Sequence, residues 1–507
     1  METSLSVIAT IMVGVLIWWP LQNLVLAVFA WRSPQRPRSV RRTPDPVPFW
    51  IVIPALNEER VIANTVRNAL ATGTRYTPVR VVVVDDASDD ATPHILAGIR
   101  DPRLHVLRRE LPMARQGKGE GLNTAYRYIL DIARREGTIE QTIVGIVDGD
   151  GRCSEGMLDE IAELMAEKNV GAVQCRVRIH NRHKTLALLQ DLEFGAIADS
   201  AQSLRDLVGS VGLGGNGQFT RLSVLARFHP GPWSACLVED LELGLRLHLA
   251  GIRVRYTKSA WVTQQGLTDV KRLLRQRTRW AQGNLQCFRH LRRLTTSRFV
   301  SGLGLTDFLI YLLSPWLTVP MSLLLVGLVA ASAVALATGS TLGGLVATVD
   351  TLPTSAAMLV GLAMLPSLLW GLVYWVRLRD ENILRCLFAG LLYPGFLALG
   401  IIATWRALFR LLSGRNGWAK TERLAEDGQT APPMPPMPPP MPVPVAAPAP
   451  VSQPVRLPLP RPDVPPSTVD PSVTQPIPAP ALAAAEPTRP VPHPLAETEP
   501  TQRLERV

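Results

Sequence analysis

The chain has 507 residues, too many for one ordinary domain, and its 47% apolar content is concentrated at the N-terminus and between Leu303 and Leu412. The formal net charge of +11 is carried mainly by arginines that sit beside apolar blocks. There is no zinc-ligand spacing, aromatic RNP strand or dense basic helix, which excludes nucleic acid as a partner and favours membrane lipid. The five cysteines (Cys153, Cys175, Cys236, Cys287 and Cys386) are scattered and odd in number, which argues against a disulfide framework and for a reducing compartment.

In chain order, Ile8–Ala30 is an apolar run long enough to cross a hydrocarbon layer of roughly 30 Å as a helix. Five arginines between Arg32 and Arg42 follow it and predict a cytoplasmic side there, with the N-terminus outside. The soluble part then alternates. Strands are expected at Trp50–Pro54, Val79–Val84, His105–Leu107, Thr142–Val147 and Val170–Arg178. Helices are expected at Val61–Leu70, Ile95–Ile99, Gly121–Arg135 and Ser154–Lys168. The β-branched valine run suits a buried parallel strand. The alternation predicts an α/β fold with a parallel or mixed sheet covered on both faces.

Three apolar blocks come next: Leu303–Thr338, Ala356–Val376 and Leu387–Leu412. Pro315 and Pro320 make the first either a kinked long helix or a re-entrant turn plus a span. The inferred outside loop, Gly339–Ser355, has no Lys or Arg, and Arg377 and Arg379 mark a cytoplasmic return. A simple crossing of the third block would leave Arg406, Arg410, Arg415, Lys420 and Arg423 outside. Charge therefore requires that the first block hide two crossings or that the third lie partly in the interface. The expected organisation is a transmembrane helix at 1–31, a basic cytoplasmic linker at 32–47, a catalytic domain with an interfacial helix at 48–300, transmembrane helices at 301–412, a cytoplasmic motif at 413–425 and a disordered proline-rich tail at 426–507.

Polar signatures punctuate the soluble part. Asp148-Gly149-Asp150 follows an apolar strand, where a glycine between two acids lets both carboxylates approach a hard cation and a diphosphate. Asp85-Asp86 ends the valine strand, either as an Asx-turn or as an acceptor for a base or ribose, and Asn57 and Glu58 are expected to line the same pocket. Lys118, in a Gly-Lys-Gly turn, can place an ammonium on a diphosphate. Glu239-Asp240 opens a helical pattern, either as a cap or with Asp240 as general base. Gln276-Arg277-Thr278-Arg279-Trp280 lies on a basic amphipathic helix; Arg279 can meet a leaving diphosphate and Trp280 can form a platform for a sugar ring.

Taken in order, Asp86, Asp148-Gly149-Asp150, Glu239-Asp240 and Gln276–Trp280 resemble the motif set of membrane-bound family 2 glycosyltransferases of the processive polysaccharide synthase type. The resemblance covers about residues 48–425, including Gly417–Arg423, which is similar to a cytoplasmic motif after the last membrane block. It implies a GT-A fold, a UDP-sugar donor, Mg2+ or Mn2+, inversion to a β-linkage and export of a growing glycan through the membrane helices. On this resemblance Asp86 binds nucleotide, Asp148 and Asp150 bind diphosphate and metal, Asp240 is the base, and Gln276, Arg279 and Trp280 hold diphosphate and acceptor sugar. Asp-Asp-Ala-Ser stands where Asp-Asp-Gly-Ser is usual, and Gly214–Gln218 matches no single sugar. A lipid acceptor, such as a polyprenyl phosphate or glycolipid, is the alternative, and an accessory export subunit is left open.

Overall fold

The computed structural model describes residues 20–32, 46–338 and 352–415. Residues 20–32 form helix α1, the end of the apolar run expected from Ile8. The sheet is built from β1 (Phe49–Ala55), β2 (Val79–Asp85), β3 (Leu104–Arg108), β4 (Ile143–Ile146), β5 (Arg152–Cys153), β6 (Val170–Ile179), β7 (Gln218–Arg221) and β8 (Arg253–Gln264). Its order is β3-β2-β1-β4-β7-β6-β8-β5. The half nearest the N-terminus is parallel, β7 runs antiparallel to both β4 and β6, and β8 returns parallel to β6. This is the mixed sheet that the alternation predicts.

The strand period of two sorts β1 between two cores. Phe49, Ile51 and Ile53 pack with α2 (Ile62–Ala71) and α5 (Met157–Ala166), whereas Trp50 and Val52 pack with α4 (Lys118–Glu136) and α9 (Glu239–Leu249). Helices thus cover both faces, and the carboxyl ends of β1, β2 and β4 share one edge, where the acidic signatures fall. α4 begins at Lys118, not Gly121, because Gly117 (φ 121°) turns the chain into it. α5 is shorter at both ends than expected; Gly156 in the left-handed region starts it. α3 (Thr92–Ala97) stops before Ile99, at Gly98.

After β6 come α6 (Thr185–Asp191), a π-helical turn (Leu192–Ala198) and α7 (Asp199–Val208). The basic helix is α10 (Val270–Cys287), and Asp269 caps its start by accepting the Arg272 N–H at 2.8 Å. The apolar blocks form α12 (Gly302–Thr338), α13 (Leu352–Leu378) and α14 (Ile383–Leu412). Pro315 and Pro320 lie inside α12, so the first block is one helix over the described span and not a re-entrant turn. The last four residues of the expected outside loop already belong to α13; the rest of that loop, most of the basic linker, the Gly417–Arg423 motif and the proline-rich tail lie outside the described residues.

α1, α13 and α14 pack on α6 and the π-helical turn in a shared core with Trp370, Tyr374 and Tyr393. Small residues let α13 and α14 approach closely: a Cβ on Gly371 would meet the Cys386 carbonyl oxygen at 2.6 Å, and one on Gly390 the Ser367 carbonyl oxygen at 2.6 Å. Both ends of α14 meet the soluble domain. Arg385 donates to the Arg182 carbonyl at 2.7 Å near its start, and Arg410 donates to the Gln282 side chain of α10 at 2.9 Å near its end.

Candidate active site

A cavity of ≈640 Å3 opens at the carboxyl edge of the sheet and runs on between α12 and α14. Its sheet end is lined by Glu58, Asp86, Lys118, Asp148 and Gly149. Asp86 accepts a hydrogen bond from Arg109 at 2.6 Å, which fixes its carboxylate beside the cavity. Asp85 turns away: it accepts the Ser88 N–H at 2.9 Å and pairs with Arg108 at 2.7 Å. The two readings of Asp85-Asp86 are therefore divided between neighbours, one closing the turn and one facing the cavity.

Asn57 and Asp150, both expected to line the site, do not border the cavity. Asn57 adopts a left-handed φ of 54°, and its side chain exchanges hydrogen bonds with Asp89 at 2.5 and 3.0 Å, so it shapes the loop. Asp150 is fully buried and accepts the Gln265 N–H at 2.8 Å. Asp148 presents its carboxylate to the cavity, and Gly149 leaves room for Glu58 beside it, since a Cβ there would sit 3.0 Å from Glu58 Cγ. Among the described residues no three His, Cys, Asp or Glu side chains group as a preformed metal cage. A small hard cation bound together with a diphosphate needs only one or two protein carboxylates, however, and the oxygen donors of this turn fit that requirement.

Lys118 ties the sheet end to α9. Its Nζ lies 2.7 Å from Asp148 and 3.9 Å from Glu239. Burial pushes this ammonium down, but Asp148, Glu239 and Asp240 outweigh it and hold the group above its ordinary value. Glu239 and Asp240 occupy the first turn of α9, which is capped by neither side chain; Asp240 accepts the Leu241 N–H at 2.8 Å. Burial, then the neighbouring Asp240 charge, pushes Glu239 up to about 7, and burial raises Asp240 as well. Gly215, at φ 75°, is required here, because a Cβ would meet Asp240 Oδ2 at 2.6 Å. The Gly214–Gln218 stretch is thus the floor under the candidate base.

α10 supplies the next wall, with Gln276, Arg277, Arg279 and Trp280 all on the cavity. Arg279 donates to the Leu237 carbonyl at 3.1 Å and so also fixes the segment leading into α9. Beyond it the cavity is lined by Tyr311, Ser314, Pro315 and Thr318 of α12 and by Gly400, Ala403 and Thr404 of α14. The sequence reading missed Arg109, Glu239 as a titrating partner, Glu193, Arg277 and this whole apolar end. The signal for Glu193 was present as acids at 191, 193 and 199 inside an otherwise apolar stretch.

The fold is that of a GT-A glycosyltransferase domain. The family model for glycosyltransferase like family 2 matches residues 45–283. Over 240 residues, 46% of this chain and 48% of the relative, it is 33% identical to the beta-monoglucosyldiacylglycerol synthase of Trichormus variabilis. Over 235 residues, 45% of this chain and 52% of the relative, it is 26% identical to the poly-beta-1,6-N-acetyl-D-glucosamine synthase of Staphylococcus aureus. The chain spans about half the length of these curated relatives. Among solved structures, a mannosyltransferase from Pyrobaculum calidifontis in complex with GDP-Man and Mn2+ superposes with a TM-score of 0.53 at 20% identity, covering 81% of this chain and 99% of the other, a likeness of fold.

Proposed function

We propose that this protein is an inverting glycosyltransferase that moves a sugar from a nucleoside diphosphate donor, UDP-glucose or UDP-N-acetylglucosamine first, to a hydroxyl of a membrane lipid of the diacylglycerol class. The observation that carries the reading is the single cavity joining Lys118, Asp148 and Asp240 to a groove between two apolar helices. Among the described residues, Gly302–Leu323 and Ile383–Leu412 are long and apolar enough for a membrane. Gly400, Ala403 and Thr404 are small residues on one face of α14, which leaves space for acyl chains beside the acceptor hydroxyl. The 33% identical relative is named for making a glucosyl diacylglycerol. The uridine assignment rests on the motif resemblance.

In this reading Glu58 and Asp86 receive the nucleoside, and Lys118 sets a positive charge on the diphosphate. A divalent cation, Mg2+ or Mn2+, would be held at Asp148 with Asp150 behind it, and supplies Lewis-acid stabilisation of the leaving group. Asp240 takes the proton of the acceptor hydroxyl. Gln276 and Arg279 hold the diphosphate, and Trp280 offers its apolar face to the acceptor beside the hydroxyl that reacts. The catalytic domain is cytoplasmic, where the Arg32–Arg42 cluster would place it.

A second reading, a processive synthase that exports a β-linked polysaccharide, is favoured by the Gln276–Trp280 motif and by the 26% identical relative. It needs the cavity to pass a polymer, whereas the lipid reading needs only a lateral groove. The test is nucleotide release by the full chain in membranes, across UDP-glucose, UDP-N-acetylglucosamine and GDP-mannose. One donor is expected to be turned over in the wild type and not in Asp240→Asn; no turnover of any donor contradicts the reading.

A further inference from the structure

The π-helical turn Leu192–Ala198 is bracketed by two carboxylates, Asp191 and Asp199, that are 0% and 1% exposed. Asp191 receives the Arg178 guanidinium through two bonds of 3.1 and 2.9 Å, the Ile179 N–H at 2.7 Å and the Tyr374 hydroxyl at 2.7 Å. Asp199 receives Arg176 at 3.0 Å, the Tyr256 hydroxyl at 2.7 Å and Arg377. A buried carboxylate is costly unless it is fully paired. Here each aspartate is paired both with the sheet, through β6 or β8, and with α13. The turn is fixed between the catalytic sheet and an apolar helix.

Two side chains of this turn, Glu193 and Phe194, face the cavity. Glu193 takes both terminal nitrogens of Arg277, one at 2.9 Å. The Arg277 guanidinium in turn lies 4.6 Å from the Trp280 ring centroid, 5.6 Å from Phe194 and 5.7 Å from Phe396. Phe194 meets Trp280 edge-on, with centroids 6.1 Å apart. A planar guanidinium held in a two-bond fork cannot rotate freely, so the ring it covers is fixed too.

We infer that Glu193 is a positioning residue for the acceptor: it anchors Arg277, and through Arg277 the plane of Trp280, from a turn that Asp191 and Asp199 hold against α13. The inference rests on the reading of this site as a sugar transferase with a hydroxyl acceptor. The donor end is built from Glu58, Asp86, Lys118 and Asp148, whereas the Glu193 carboxylate is engaged by Arg277 of α10. Losing the Glu193 charge frees Arg277 to swing and leaves the donor pocket as it is. The effect belongs to acceptor KM.

The test uses the full-length protein in detergent micelles containing dioleoylglycerol, with UDP-sugar varied separately. Glu193→Gln is expected to raise acceptor KM about tenfold, the size of one lost charge-assisted fork, with donor KM within about twofold. Arg277→Lys, which keeps the charge and loses the fork, is expected to do the same, and it decides the matter if Glu193→Gln does not fold. Glu193→Asp restores part of the loss. Unchanged acceptor KM, or equal losses in donor and acceptor KM, overturns the inference while leaving the transferase reading intact. A wild type that releases UDP but glycosylates no acceptor overturns both.

Discussion

On the proposed reading the chemistry turns on Asp240 and Glu239, which are adjacent, largely enclosed and placed beside Lys118. Asp240→Asn keeps the shape of the first turn of α9 and removes the proton acceptor. Transfer is expected to fall at least about 10²-fold, with UDP binding by calorimetry nearly unchanged. A variant retaining more than about a tenth of the wild-type rate removes Asp240 from the base role. The pH profile follows from the same pair. Burial favours the neutral acids, so a proton is retained by the pair up to about pH 7, the value to which Glu239 is raised. A base must be ionised, and burial raises Asp240 too, so kcat/KM should rise with pH above the ordinary carboxylate range. Glu239→Gln removes the neighbouring negative charge and should move the midpoint to lower pH; an unmoved midpoint means that the two groups do not share the titration.

At the scale of elements, the turns decide where the functional side chains stand. Gly215 is the clearest case, with φ at 75° and Asp240 within 2.6 Å of where a Cβ would be. Gly215→Ala should cost about 1–3 kcal/mol of stability from the strained backbone. It should also lower transfer by more than the fall in folded protein, since Asp240 must shift. Thermal melts paired with rate per folded molecule separate the two effects. Strand ends, the Asp-Gly-Asp turn and α10 were legible in the sequence because each couples a simple period to a polar break. β7 and the π-helical turn were not, because four short residues and a broken helical period carry little local pattern. The split between Asp85 and Asp86, or between Asp148 and Asp150, was beyond sequence too: neighbours in a turn look alike until Arg108, Arg109 and Gln265 are seen to claim them.

For the whole molecule, the contacts of α14 bear on where the charge after the last apolar block lies. Arg385 near its start and Arg410 near its end both bond to the soluble domain. Leu384, Phe388, Leu391, Ile402 and Phe409 stay exposed along its outer side. We propose that α14, although long and apolar enough to cross a membrane, lies along its face, with α12 and α13 as the outward and returning crossings and Arg406 to Arg415 on the cytoplasmic side. A single cysteine at Ser413, in a chain freed of its five native cysteines, should react with an impermeant maleimide only after cells are permeabilised. Reaction in intact cells would place α14 across the bilayer. The central claim, transfer from a nucleotide sugar to a lipid hydroxyl in the groove between α12 and α14, is tested most directly by its product. Membranes containing the wild-type protein are supplied with a radiolabelled UDP-sugar and then extracted with organic solvent. The label is predicted to enter the solvent phase as a lipid carrying one sugar, and to be absent with Asp240→Asn. Label recovered instead as a water-soluble or insoluble polymer, with none in the lipid phase, would contradict the claim and favour the polysaccharide reading.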